Sequence, residues 1–504
     1  MKFQAKATEV TKIEADILAV FALPGKERDR RFILTEEAKK VDRALSGMLT
    51  EVATTEEFEA KPAKLLLIHT HSKLPAKRVL LVGLGEPSKL AMFDWQTTTA
   101  RIGRECKAVK AKRLAVAIPE EVLSALGTPE AAQGLVVGVA LGTYVFLKHK
   151  AEAEQKKEKP LEEVYLLTAA GKLNSVSAGL ELGQVVSRAV AFSRDLVNEP
   201  PSTTTPSYLG EVARAVSQGS RVISCEVLGP EQMKKLGMEA ILGIARGSDE
   251  EPRFIKLAYK GGGRKTVCLV GKGITFDTGG LSLKPSEGMQ TMKLDMAGAA
   301  AILAIFQALR ELKPKLNVVG LIAATENMPG GRAIKPGDIV RALNGKTIEI
   351  LNTDAEGRVI LSDALSYAAE RVKPDVLIDL ATLTGACMVA LGEEIAGIFG
   401  TDVKLVGQLK EAARASGERL WELPLAADYQ ETLKSTVADL KNITGSKYGG
   451  AITAALFLKE FVPEGIPWVH LDIAGPAFAE KDAPLTPKGG TGFGVRTILH
   501  YLLS

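Results

Sequence analysis

Four carboxylates stand in three short segments whose glycines and embedded lysine set them apart from ordinary surface acids. VGKGITFDTGG holds Lys272 and Asp277, KLDMAGAA holds Asp295, and NTDAEGR holds Asp354 and Glu356. An aspartate ahead of a helix is often only an N-cap, and an acid in a first turn complements the helix dipole. Taken singly, each residue has that simpler explanation. Together, with glycines that let backbone approach a site closely, they point to a shared ligand. Four ionised carboxylates bring a charge of −4, which a cleft tolerates only when cations offset it, and two divalent ions offset it fully. Such an oxygen-rich set suits Mg²⁺ or Mn²⁺, while Zn²⁺ also accepts carboxylate oxygens.

Other chemistries find less support. His69, His71, His149, His470 and His500 all lie outside these segments, so a histidine–zinc site is not indicated; His69 and His71 read as one strand face. GGGRK at 261–265 and GKG at 271–273 lack the patterns of phosphate-binding loops. Ser282 and Ser286 have no histidine close in sequence to serve as base. Cys106, Cys225, Cys268 and Cys387 show no CxxC spacing, which argues against a disulfide framework or a thiolate cluster and fits a reducing compartment.

Acids at strand ends need a sheet to carry them, and the chain is long enough for two. Its 504 residues exceed the roughly 250 to 300 at which one core stops growing. Hydrophobic residues make up 46% and charged residues 25%, a soluble globular balance. The 64 basic and 60 acidic side chains nearly cancel to +4, unlike a dedicated nucleic-acid binder. The start MKFQAKATEV has no basic stretch followed by an apolar one, so a secretory signal is not expected, and the setting expected for the chain is cytoplasmic. The apolar run 134–147, about 14 residues, suits a buried helix better than the roughly 20 of a membrane crossing.

Strands are expected at 16–23, 64–69, 78–85, 113–119 and 164–168, alternating with helices as in an α/β domain. The charged stretch 148–163 reads as solvated surface, and 180–198 as a helix linking two domains. Beyond it, strands at 266–276, 316–325, 375–380 and 468–473 alternate with helices at 297–312, 451–461 and 494–503, and a further helix is expected from about 359. The resulting division is an N-terminal α/β domain over 1–170 and a larger α/β domain over 171–504. Acids at the carboxyl ends of such strands stand where open α/β sheets bind ligands.

NTDAEGR at 352–358 resembles the signature of the leucyl aminopeptidase, or cytosol aminopeptidase, family of dinuclear metallopeptidases, family M17. The resemblance extends through VGKGITFDTGGLSLKP, MKLDMAGAA, DLATLTGA and YGGAITAALFLKEF, from about 198 to the C-terminus, and is loose in the N-terminal third. It implies one metal position formed by Lys272, Asp277, Asp295 and Glu356, and a second formed by Asp277, Asp354 and Glu356. It implies that Lys272 ligates as a neutral amine, that Lys284 polarises the scissile carbonyl, and that Arg358 holds a bicarbonate serving as general base. Met292, Asn352, Thr382, Leu383, Gly385 and Ala474 would form the substrate cleft, with leucine preferred; the segment AGPAF at 474–478 puts Ala477 where it would widen the pocket. It further implies a macro-domain-like N-terminal domain, a mixed-sheet catalytic domain, peptide substrates and a homohexamer, with Mn²⁺, Zn²⁺ or Mg²⁺ as the metal. Some bacterial relatives add DNA-binding regulation, which the near-neutral charge disfavours here. A catalytically dead scaffold would show a broken ligand set, and none of the matched ligands is broken.

Overall fold

The computed structural model describes residues 1–25 and 31–504. They form two compact α/β units, Met1–Arg188 with Lys481–Pro487 and Ala189–Glu480 with Lys488–Ser504. In the first unit the strands are β1 (Lys2–Lys6), β2 (Ile17–Pro24), β3 (Phe32–Leu34), β4 (Leu65–His69), β5 (Arg78–Gly83), β6 (Arg113–Ala117) and β7 (Glu163–Leu167). They order as β1-β7-β6-β2-β5-β4, with β3 against β2; pairing is parallel except for β2 with β3 and β4 with β5. The central strand β2 is apolar on both faces, so Ile17, Ala19 and Phe21 enter one core while Leu18, Val20 and Ala22 enter another. That is the pattern of a parallel strand covered by helices on both sides.

β1 and β3 escape the sequence pattern because both are short and half-exposed. The apolar run 134–147 is a buried helix only up to its end at Gly142 (Thr128–Gly142), beyond which Val145 is exposed, and the charged stretch carries the exposed helix Glu152–Lys157. His69 ends β4, but His71 lies beyond it in a left-handed turn (φ 48°), so the two do not share a strand face.

The second unit is built on β8 (Ile223–Leu228), β9 (Arg253–Lys260), β10 (Thr266–Asp277), β11 (Asn317–Asn327), β14 (Val376–Ala381), β15 (Ala396–Gly400), β16 (Leu420–Glu422) and β18 (Trp468–Asp472). A small separate sheet joins β12 (Ile339–Arg341), β13 (Thr347–Glu349) and β17 (Leu440–Lys441). The main sheet runs β16-β15-β18-β14-β10-β11-β9-β8. Its four central strands, β18, β14, β10 and β11, are parallel, whereas β9 and β15 join antiparallel on either side. Parallel pairing brings the carboxyl ends of four strands to one edge, so Asp277, Asn327, Thr382 and Asp472 emerge together.

The helix Ala297–Leu312 lies against this sheet, and residues Ala297–Phe306 are all buried. With its preceding turns it is long and apolar enough to cross a membrane, but 83% of its most apolar window is inside the unit, which marks a core helix. Gly298 allows the close approach: a Cβ there would lie 2.2 Å from the Leu380 carbonyl oxygen. Contact at that point brings the 3₁₀ turn Met292–Met296, and with it Asp295, to the end of the sheet. Gly298→Ala should therefore overpack this contact and cost about 1 to 3 kcal/mol. Gly407→Ala, at an exposed position of the helix Val403–Ser416 with open space where the Cβ would stand, should gain up to about 1 kcal/mol. Denaturation midpoints of the two variants check this, and equal stabilities would mean that the helix and sheet have room to spare.

Candidate active site

Lys272 points from β10 into a ring of oxygens. Its ammonium is 2.8 Å from Asp295 Oδ1 and 2.8 Å from Glu356 Oε1, and it donates to the Thr382 carbonyl at 2.9 Å. Three donors meet three acceptors. Gly357 closes the space beside it, since a Cβ there would lie 2.6 Å from Lys272 Nζ, which accounts for the glycine inside NTDAEGR.

A second cation faces the other two acids. Lys284 Nζ is 2.8 Å from Asp277 Oδ2 and also pairs with Asp354. The remaining oxygen of Asp277, Oδ1, accepts from Gly279 N at 2.9 Å and from Asn327 Nδ2 at 2.8 Å, so this carboxylate is locked in orientation. Asn327 also donates to the Thr353 carbonyl, while Thr353 and Ser282 exchange hydrogen bonds, tying the Asp277 loop to the Asp354 loop. Asp277, Asp354 and Glu356 each present an oxygen, all within 4.8 Å of one another. Asp295 Oδ2 and Glu356 Oε2 are buried without a hydrogen-bond partner among the described residues.

The capping explanation does not describe these acids. The helix Ala297–Leu312 has Met296 at its N-cap and the helix Glu356–Tyr367 has Ala355, neither with a side-chain cap. That second helix begins at Glu356 rather than near 359, so Glu356 and Arg358 lie in its first turn. Asp295 instead accepts the Thr382 hydroxyl at 2.6 Å.

Burial dominates the electrostatics. It raises the pKa of Asp295, with Asp277 adding to the rise and Lys272 opposing it. It likewise raises Glu356, reinforced by Asp277 and Asp295, and raises Asp354 against the hydrogen bond from Lys284. For Lys272 burial favours the neutral amine, but the attraction of Asp295, Glu356 and Asp277 outweighs it and raises the pKa. Lys284 is raised in the same manner, with burial opposed by Asp277 and Asp354. The carboxylates alone thus hold Lys272 as a cation, and a neutral amine requires a competing positive charge.

A cavity of about 300 Å³ opens onto the cluster. All five candidate ligands line it, as do Lys284 and the expected cleft residues Met292, Thr382, Leu383, Gly385 and Ala474. Two expected residues do not. Asn352 shapes the loop instead, its Oδ1 accepting from Asp354 N at 2.9 Å and its carbonyl from Asn442 Nδ2 at 2.6 Å. Arg358 is buried behind the wall, donating to the Asn442 carbonyl at 3.0 Å, with its Nε lacking a partner among the described residues. Burial lowers its pKa to about 10 despite Glu356 and Asp472, which leaves it cationic at neutral pH. Ala477 is buried and does not line the cavity; Met388, Phe478, Glu393 and Glu480 do, although no motif pointed to them. Asn327 was also unforeseen, yet a polar residue closing the apolar strand β11 beside Asp277 was a usable signal.

A cavity of about 530 Å³ in the first unit has Glu59 and Glu86 in its lining, already paired with Lys61 and Lys89. His470 is buried against Asp379, 2.6 Å away, and belongs to no cluster among the described residues that could hold a metal. All four cysteines are free.

Known proteins resemble this chain over nearly its whole length. Residues 191–499 match the model of the cytosol aminopeptidase family catalytic domain, and residues 20–153 match that family's N-terminal domain. A probable cytosol aminopeptidase of Alkaliphilus metalliredigens is 41% identical over 99% of this chain and 98% of its own length, and one of Geobacter sulfurreducens is 45% identical over 92% of each. Among solved structures, a mutant tomato leucine aminopeptidase superposes with a TM-score of 0.89 at 36% identity, covering 100% of this chain and 96% of its own. A bottromycin maturation enzyme in complex with Mn gives 0.83 at 34%, covering 97% and 99%. With both units matched in order and at this identity, the chain belongs to the cytosol aminopeptidase family and is a metal-dependent aminopeptidase.

Proposed function

We propose that the chain releases N-terminal leucine and other apolar residues from peptides by means of two divalent cations. The observation that carries this reading is the meeting of buried Asp277 and Glu356 with half-buried Asp354 within 4.8 Å, beside carboxylate oxygens that no donor among the described residues satisfies. Protein interiors leave such oxygens unpaired rarely and at a cost of about 1 to 3 kcal/mol each, so the donor set fits cations. Lys272, Asp277, Asp295 and Glu356 would hold one ion and Asp277, Asp354 and Glu356 the other. Mn²⁺, Zn²⁺ and Mg²⁺ all suit ligands of this type, and the solved relative with Mn is a precedent for the first. When bound, two such ions supply an acidified water and Lewis acidity at a scissile carbonyl.

The chain's own residues complete the work. Lys284 stands at the cavity wall with its ammonium held by Asp277 and Asp354, and in this reading it would donate to the carbonyl oxygen as negative charge develops there. Arg358 stands behind the cavity wall, and its buried Nε, without a partner among the described residues, suits a small anion; bicarbonate held by it would have to reach into the cavity to serve as general base. Met292, Leu383, Gly385 and Ala474 give the first side chain an apolar and small-residue wall, which supports the preference for leucine. The acidic cluster at the cavity's end receives the free α-amine, which makes the enzyme an exopeptidase. A cytoplasmic homohexamer is the setting that goes with the family. No observed feature favours DNA as a partner.

Cleavage should need that free amine. Leucine anilide should be hydrolysed and N-acetyl-leucine anilide should not; equal rates would remove the amine from the account.

Lys284 and Arg358 should separate by stage. Lys284→Ala is expected to cut kcat by about 10² to 10³, as for loss of one oxyanion donor, with little change in KM. Arg358→Ala should lower turnover and abolish stimulation by added bicarbonate, because the fork that grips the anion is gone. Measuring kcat against bicarbonate concentration in wild type and Arg358→Ala decides the point, and equal stimulation in both would place the base elsewhere.

A further inference from the structure

We infer that Asp472 is a positioning residue that sets the width of the substrate cavity and thereby its selectivity for the first residue. This rests on the aminopeptidase reading of the site. Asp472 ends β18, is fully buried, and lies in register beside Ala381, the last residue of β14. After β14 the chain turns into one cavity wall, through Leu383, Thr384 and Gly385. After β18 it turns into another, through Ala474 and Gly475.

One carboxylate holds both walls. Its Oδ1 accepts from Leu383 N at 3.2 Å, Thr384 N at 3.4 Å and Ala474 N at 3.2 Å, and its Oδ2 accepts the Thr384 hydroxyl at 2.7 Å. That hydroxyl oxygen in turn accepts from Cys387 N at 3.0 Å, capping the helix Gly385–Leu391 that continues the wall. The residue before, Thr382, is bound inward instead, through its hydroxyl to Asp295 and its carbonyl to Lys272. The segment 382–384 is therefore fastened on one side to the candidate metal ligands and on the other to Asp472. It cannot swing outward without stripping donors from a buried carboxylate, which is costly.

Wall spacing is what an apolar pocket uses to choose its guest, and one methylene changes selectivity by about 10- to 200-fold when the walls are firm. Asp472 does not line the cavity. It acts through the backbone of residues that do.

The test compares kcat and KM for leucine, phenylalanine and glycine anilides in wild type, Asp472→Ala and Asp472→Asn, with metal content measured on each. Asp472→Ala should raise KM for the leucine substrate about 10-fold with kcat within about 3-fold, and shrink the leucine-to-phenylalanine ratio of kcat/KM about 10-fold. Asp472→Asn keeps an acceptor for the three amides and should restore most of that ratio. A residue of purely structural role would reduce the active fraction, lowering kcat for all three substrates alike. Should Asp472→Ala not fold, Thr384→Val removes the hydroxyl bond from the other side and should move the ratio about 3-fold, with Thr384→Ser restoring it. An unchanged ratio in both variants overturns the inference and leaves the aminopeptidase reading standing. A wild type indifferent to its first residue overturns the inference and the leucine preference, whereas one that hydrolyses none of the three anilides overturns the aminopeptidase reading itself.

Discussion

The site depends on burying more negative charge than the protein neutralises by itself. Asp277, Asp295 and Glu356 are each no more than 3% exposed, with Asp354 close by, and among the described residues Lys272 and Lys284 are the ammoniums paired with them. Four acids against two ammoniums leave an excess of two negative charges in a low-dielectric pocket. Such an arrangement is expensive to fold around and persists where a ligand supplies the missing charge. The glycines and the parallel sheet serve this constraint. Gly298 lets a helix press against the strands so that Asp295 reaches Lys272, and Gly357 leaves room for the lysine itself.

The sheet turns that charge cluster into an active site. Residues as far apart in sequence as Lys272 and Asp472 come to one edge because β10, β14 and β18 run parallel and stop there. The strand ends then divide the labour. β10 brings the ligands, β11 contributes Asn327 to orient Asp277, and the turns after β14 and β18 wall the cavity. Chemistry and selectivity are thus joined through residues 382–384, which touch the charge cluster on one side and Asp472 on the other.

Much of this was legible in the sequence because apolar runs bounded by glycine and acid mark buried parallel strands. The helix at 297–312 and the strands β10, β14 and β18 fall within a residue or two of where periodicity puts them. The acids and Lys272 were visible as types and spacing, and the structure brings all of them to one cavity. Edge strands such as β1 and β3 were not legible, since half-exposed residues carry no clear alternation. Nor was the position of Arg358 behind the wall, the loop-shaping role of Asn352, or the part played by Phe478 rather than Ala477. Those depend on how loops pack in three dimensions, which local pattern does not encode. Asp472 is hidden for the same reason: it follows an apolar strand and looks like an ordinary strand-end acid until its four donors are seen.

The most direct measurement is a calorimetric titration of the chelator-treated protein with Mn²⁺, run on wild type, Glu356→Gln and Asp295→Asn. Since Glu356 would serve both positions and Asp295 only one, the wild type should take up two ions per chain. Glu356→Gln should weaken both sites, and Asp295→Asn only one, by about 10- to 100-fold or more. A wild type that binds no ion, or a Glu356→Gln protein that binds two with undiminished affinity, would contradict the claim that buried carboxylates are there to hold a pair of cations.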